Sequence, residues 1–317
     1  MTEQTLPNAV SERISDVRPL VLQGEVDAAM ELSGVALAGD FLALGADEGH
    51  QLQILRRQNG TAWALAQRVA LAKQDQEADI EAITFGDGHL YVVGSHSLRR
   101  RRLKPELSVR RNRERLLQVE EQDARCRLYR IPFDTGTGDL GPVQRIDLRK
   151  RLRKDPLLGP FSKLPGKENG VDIEGVAFSG GLLHLGFRGP VLRDNYVPVM
   201  SLRFDRPKDY ALRYVRLDGQ GIRDICALDE GFLILSGPVN DAAGPFCLWW
   251  WDGSDQIPGK GRTPRPARRL AEISTPGGAK AEGLAVVDSG PGDVDLIVIY
   301  ETGTAAQAVA MRLRLGE

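Results

Sequence analysis

Five short segments of this chain each set a carboxylate beside small and apolar residues. They read Glu31-Leu-Ser-Gly-Val-Ala, Asp79-Ile-Glu-Ala-Ile, Asp172-Ile-Glu-Gly-Val-Ala, Ile222-Arg-Asp-Ile-Cys-Ala and Ala281-Glu-Gly-Leu-Ala. Aligned on their acids, they put Glu31, Glu81, Glu174, Asp224 and Glu282 at one equivalent position. Carboxylates brought from distant parts of a chain onto one axis cannot all stay ionised without compensation. Protonation, pairing with Arg188, Arg223 or Lys280, or a bound divalent cation would each relieve the repulsion. All-oxygen ligation suits Ca2+ or Mg2+ rather than Zn2+. The expected metal ligands are Glu81, Glu174, Asp224 and Glu282.

The elements that must position these acids follow from what comes after each one. A turn leads into an apolar run: Phe41-Leu-Ala-Leu-Gly, Leu90-Tyr-Val-Val-Gly, Leu182-Leu-His-Leu-Gly, Phe232-Leu-Ile-Leu-Ser and Val294-Asp-Leu-Ile-Val. Repeats of about 40–50 residues made of short strands signal a propeller. The expected fold is therefore all-β, a single domain over residues 1–317 with five blades. The fifth unit is one strand short, and residues 17–23 precede the first unit as its donor, which would close the ring and remove a sheet edge. Six blades is the alternative, because the interval from Glu81 to Glu174 is about twice the neighbouring one. The extra length falls instead in two inserts, residues 98–125 and 149–170, and no second acid-plus-glycine start lies between those acids.

In a propeller the start of each first strand and the end of each second strand share one face. That face collects Asp79, Asp172 and the repeat acids from the starts. From the ends it collects Asp47-Glu48, Ser95-His96-Ser97, Arg188-Gly-Pro, the stretch from Ser236 to Asn240, and Glu301-Thr302. His96 there, close to carboxylates, is the expected acid–base group, with Glu81 and Glu174 as its catalytic partners. Arg188 and Arg223 offer two guanidinium forks for a phosphate or carboxylate, and Ser95, Ser236, Asn240 and Glu301 complete the expected ligand wall.

The insert at 98–125 emerges at the same rim and could cover it as a lid. It carries Arg99 through Arg102, Lys104, Arg110, Arg111, Arg113 and Arg115, with a short helix expected after Pro105. Interspersed acids and the lack of aromatic residues argue against nucleic acid. The net charge of −1 adds no field toward nucleic acid or membrane. Three well-separated cysteines fit reduced thiols, no run approaches the ~18 apolar residues of a membrane span, and residues 1–18 lack the apolar stretch of a secretory signal. A cytoplasmic protein without a membrane partner is expected.

The phrases Asp172-Ile-Glu-Gly-Val, Gly94-Ser-His-Ser, Gly186-Phe-Arg-Gly-Pro, Gly221-Ile-Arg-Asp-Ile, Leu235-Ser-Gly-Pro and Glu282-Gly-Leu together resemble the bacterial DUF3616 family, over roughly Val17 to Leu315. The resemblance implies a β-propeller of unknown function. The Glu-Gly-apolar motif is also similar, remotely, to that of esterase-like phytase propellers, where blade-start acids contribute to the site. Here Ala82 replaces the glycine in the second unit, and Ser33 separates acid from glycine in the first. The function expected from the residues is divalent-cation-dependent hydrolysis of a small phosphorylated or otherwise anionic ester at the channel mouth. The alternative is a non-catalytic propeller scaffold that binds a ligand or protein on the same face.

Overall fold

The computed structural model describes residues 11–26, 31–301 and 308–316. Five antiparallel sheets follow one another as blades, innermost strand first. Blade 1 runs Leu32–Ala38, Phe41–Ala46, Gln51–Arg57 and Ala62–Ala70. Blade 2 runs Ile80–Gly86, His89–Gly94, Leu128–Pro132 and Gln144–Ile146. Blade 3 runs Asp172–Ser179, Leu182–Gly189, Tyr196–Arg203 and Arg206–Arg216. Blade 4 runs Gly221–Ala227, Phe232–Gly237, Phe246–Trp251 and Arg268–Ile273. Blade 5 runs Lys280–Ser289, Asp293–Glu301 and Ala308–Arg314, and its outer strand is Ile14–Pro19. The expected five-bladed propeller is the fold.

Burial explains the sequence pattern strand by strand. Second strands are sandwiched between neighbouring blades, so Phe41–Ala46 and Phe232–Gly237 are buried throughout and read as unbroken apolar runs. Outer strands meet water on one side, and Arg206–Arg216 is accordingly mostly polar, with every residue but Val215 exposed or half-buried. The core divides into five apolar clusters, one at each blade–blade junction. Phe41, Ile80 and Tyr129 lie between blades 1 and 2, and Val93, Ile173 and Phe187 between 2 and 3. Val199, Ile222 and Trp249 lie between 3 and 4, Leu248, Leu284 and Val298 between 4 and 5, and Leu44, Trp63 and Ile297 between 5 and 1.

The donor strand is displaced from the expected 17–23. Ile14–Pro19 pairs antiparallel with Ala308–Arg314 and completes blade 5, with Ile14 buried in the junction with blade 4. Beyond Leu20 the chain crosses over, and Val21–Gln23 pairs parallel with the outer strand of blade 1. One segment thus fastens both blades that meet at the seam.

The first insert holds a two-stranded ribbon, Arg99–Arg100 with Val119–Glu120, and the helix α1, Val109–Leu116. Ser108 caps the helix by accepting the Arg111 amide hydrogen, so the expected helix after Pro105 is present. The second insert folds into α2, Arg149–Lys154, and α3, Leu158–Phe161, whose Leu152 and Leu158 fill the junction of blades 2 and 3. Among the described residues no helix is long and apolar enough to cross a membrane.

Removing Ile14–Pro19 should strip the outer strand from blade 5 and expose a hydrogen-bonding edge. A chain starting at Leu20 is expected to melt several degrees lower and to aggregate on heating. Differential scanning fluorimetry and light scattering would check this, and an unchanged melt would mean that the seam contributes nothing.

Candidate functional site

Every innermost strand carries a β-bulge at the same level. The register slips between Leu32 and Gly34, Ile80 and Ala82, Ile173 and Gly175, Ile222 and Asp224, and Ala281 and Gly283. A bulge takes one residue out of the pleat and re-aims its side chain. The five bulge residues are Ser33, Glu81, Glu174, Arg223 and Glu282, and all five line one cavity of about 800 Å³ at the hub. The residue after each bulge is small in four blades because the next blade's backbone closes in. A Cβ on Gly175 would lie 3.1 Å from the Asp224 Cα, and one on Gly283 would lie 2.9 Å from the Ser33 carbonyl oxygen. Two residues before the bulge, Glu31, Asp79, Asp172 and Lys280 form a second tier around the same cavity.

Charge is distributed unevenly around these tiers. Arg188 bonds both acids of its own blade, Asp172 and, at 2.5 Å, Glu174 Oε1. Arg223 spans blades: its Nη1 lies 2.8 Å from Glu282 Oε2 and 3.3 Å from Glu174 Oε2, while its Nη2 donates to the Pro238 carbonyl at 2.9 Å. Burial works against the Arg188 charge, but Asp172 and Glu174 outweigh it and hold its pKa well above the usual value. Arg125 lies 2.8 Å from Asp79 Oδ1 and 2.5 Å from Glu77. Asp79 also accepts the Ser95 hydroxyl and is hydrogen-bonded to Asp47. Burial, then the Asp47 charge, raises Asp79 well above the carboxylate range; the hydrogen bond from Asp79, with Arg125, outweighs burial and lowers Asp47.

Glu81 differs from the other ring acids. Among the described residues it has neither a hydrogen-bond donor nor a cationic partner. Burial, and then the charges of Asp79, Glu174, Asp47 and Asp172, raise its pKa well above the usual value. Its oxygen groups with those of Asp172 and Glu174 within 4.8 Å of one another, and on its other side with those of Asp47 and Asp79. Asp172 Oδ1 and Glu174 Oε2 are sealed from solvent without a hydrogen-bond donor. Burial raises Glu174 to about 7 even though Arg188 and Arg223 pull it down. Three oxygen donors with unfilled acceptor capacity fit a hard divalent cation.

Comparison with known proteins adds a family. The model of DUF3616, described as a protein of unknown function, matches residues 31–312. The chain belongs to the DUF3616 family. No curated protein matches the sequence of this DUF3616 member. Its fold is similar to glutaminyl cyclase from Myxococcus xanthus, at 12% identity and a TM-score of 0.46, covering 96% of this chain and 97% of that one. It is also similar to the PQQ-bound aldose sugar dehydrogenase of Streptomyces coelicolor, at 11% identity and a TM-score of 0.42, covering 97% and 99%. An exo-β-1,3-galactanase from Phanerochaete chrysosporium matches at 7% identity and a TM-score of 0.49, covering 95% and 64%.

The DUF3616 hub brings together only part of the constellation expected from sequence. Glu81, Glu174, Glu282, Arg188, Arg223, Asn240 and Glu301 line the cavity. Thr302 lies outside the described residues. Asp224 does not reach the cavity. It occupies the small-residue slot after the bulge, where its carboxylate accepts the amide hydrogens of Ile225 at 2.7 Å and Leu284 at 2.8 Å, and that of Val176. It joins the innermost strands of three blades and has no oxygen to spare for a metal.

His96 also leaves the site. At φ +55° the chain turns its ring away from the hub, onto the Gly94 carbonyl at 2.8 Å and the Leu148 amide at 3.4 Å. Burial lowers its pKa to about 4, against the upward shift that nearby carboxylates would produce. Ser95 supports Asp79 from behind the cavity wall, and Ser236 is buried against Gln220 and Trp249. Sequence reasoning undervalued Asp172, Asp79 and Asp47, although all three were on the expected face. It missed Ser33 and Arg125.

Two measurements follow. Neutral, buried His96 stabilises the fold above pH 6.5, and this is lost as pH falls toward its folded value of about 4. Its ring resonances should stay constant from pH 8 to 5.5, and the stability difference between wild type and His96→Gln should change by on the order of 3 kcal/mol between pH 7 and pH 4. Asp224→Ala leaves three amide hydrogens without their acceptor, at about 1–3 kcal/mol each. Urea denaturation should show a loss of at least ~3 kcal/mol.

Proposed function

We propose that the hub cavity is a divalent-cation-dependent hydrolytic site for a small anionic ester. The observation that carries this reading is the cluster of Glu81, Asp172 and Glu174, each offering an oxygen within 4.8 Å of the others', at a hub where Asp172 Oδ1 and Glu174 Oε2 are buried without a hydrogen bond. These three residues would hold the ion, with Ca2+ or Mg2+ favoured by the all-oxygen set. A bound divalent cation lowers the pKa of its water and polarises an ester oxygen.

The protein's own side chains have separate tasks. Arg188 and Arg223 do not grip the substrate, because their terminal nitrogens are engaged by Asp172, Glu174, Glu282 and the Pro238 carbonyl. They position the carboxylates and limit the hub's negative charge. The anion is drawn in by the rim instead, where Arg99 through Arg102 line the cavity from the insert. Arg99, Arg100 and Arg101 pair with Glu77, Glu168 and Glu120, whereas Arg102 has no carboxylate partner among the described residues. Arg102 is therefore the rim group for an anionic substituent. The insert roofs one side of the mouth and acts as its lid, resting on the second insert through Leu98, whose carbonyl accepts the Gly166 amide at 3.0 Å.

In metal-free protein, added Ca2+, Mg2+ or Mn2+ should raise the melting temperature, by about 2.7 kcal/mol of stability at a hundred times Kd. Glu81→Gln should abolish that response without destabilising the metal-free fold, since half-buried Glu81 has no hydrogen-bond or ionic partner to lose among the described residues. A panel of aryl phosphates, sulfates and lactones should reveal EDTA-sensitive hydrolysis that Glu81→Gln and Glu174→Gln lose. Absence of any cation response would end the metal reading, and a cation response without turnover would leave a binding scaffold.

A further inference from the structure

Contrary to the expectation of no membrane partner drawn from net charge, we infer that the insert between the second and third strands of blade 2 docks onto an anionic lipid bilayer. The inference stands apart from the cation site and rests on where apolar surface is left uncovered. Among the described residues, nine large hydrophobic side chains are exposed, and five of them belong to this insert: Leu103, Val109, Leu116, Leu117 and Val119. Val109 and Leu117 are 70% and 83% exposed. Val109 and Leu116 lie seven residues apart and so share one face of α1. Arg115 and Asn112 tie the helix back to the chain at Arg102 and Lys104, which holds Leu103 along its flank. The result is a preformed apolar ridge that nothing in the described structure covers.

Its charge selects the occupant. Residues 98–119 contain nine basic and two acidic side chains in a protein whose net charge is −1. Arg102, Arg111 and Arg113 have no carboxylate partner among the described residues, and Arg113 stands on the apolar face between Val109 and Leu116. Protruding leucines interspersed with unpaired arginines suit a fluid acceptor with anionic headgroups above an apolar layer, where the guanidinium groups stay at phosphate level. A nucleic acid would leave the leucines in water and finds no aromatic residue between 98 and 125 on which to stack. An acidic protein would have to offer a groove shaped to the ridge. Leu103 and Leu116 also border the hub cavity, so docking would open the cavity mouth at the bilayer surface.

Sedimentation with phosphatidylcholine vesicles, with and without phosphatidylglycerol, tests this. The protein should pellet with the mixed vesicles, remain in solution with pure phosphatidylcholine, and be released by high salt. The double change Arg111→Gln with Arg113→Gln should weaken binding roughly thirtyfold. Val109→Ser with Leu117→Ser should weaken it to a similar degree at unchanged charge. All four positions are exposed, so both variants should keep the wild-type melt and its response to Ca2+, which separates this outcome from that of the cation site. Failure to bind mixed vesicles, equal binding to neutral ones, or binding insensitive to both variants would overturn the proposal. Retention on immobilised poly-glutamate without vesicle binding would overturn it in favour of an acidic polypeptide.

Discussion

Compensation of negative charge at the hub governs the rest of this propeller. Its inner strands converge closely enough that each blade must either neutralise its neighbour's bulge residue or repel it. Between blades 1 and 2 the Ser33 hydroxyl donates to the Ile80 carbonyl, and Arg125 pairs with Asp79 beside Asp47. Between 3 and 4 Arg223 meets Glu174, and between 4 and 5 the same arginine meets Glu282. At the junction of blades 2 and 3 acid is set against acid, with Glu81 beside Asp172 and Glu174 and, among the described residues, no cation bonded to Glu81. The apolar cluster at that junction is continuous, so the mismatch is local to the hub and the fold tolerates it.

Tolerance of this kind is informative because buried charge is costly. A buried ion pair contributes little net stability against an apolar replacement, yet loss of one partner costs about 3–5 kcal/mol. Arg188 and Arg223 are thus committed to their acids, and the hub can retain Glu81 only because the other carboxylates are held. A bulge carboxyl left unpaired while Glu174 and Glu282 hold guanidinium partners is the arrangement that an ion or ligand would complete.

The sequence carried the fold plainly and the hub in part. Short apolar runs separated by Gly, Asp and Asn turns follow from strands buried on both faces, and they located every blade. Ring positions were harder to see, because a bulge breaks the two-residue alternation without any composition of its own. Aligning on charge placed Asp224 and Glu31 in the ring. The frame that holds is apolar, bulge residue, small residue: Leu32-Ser33-Gly34, Ile80-Glu81-Ala82, Ile173-Glu174-Gly175, Ile222-Arg223-Asp224 and Ala281-Glu282-Gly283. It would have put Arg223 in the ring and Asp224 in the glycine slot. His96 was legible as a residue at the right strand end, but its left-handed backbone, which turns the ring away, leaves no trace in the types of its neighbours.

The strand Ile14–Pro19 fixes when such a hub can come into being. As the chain leaves the ribosome, blades 1 to 3 can pair internally while Glu81, Asp172 and Glu174 still lack the guanidinium of Arg223. That side chain arrives with blade 4, and the circle shuts only when Ala308–Arg314 has emerged to receive Ile14–Pro19. No fragment short of Ala308–Arg314 contains the finished hub, so its balance of charge is reached in a single step, at ring closure.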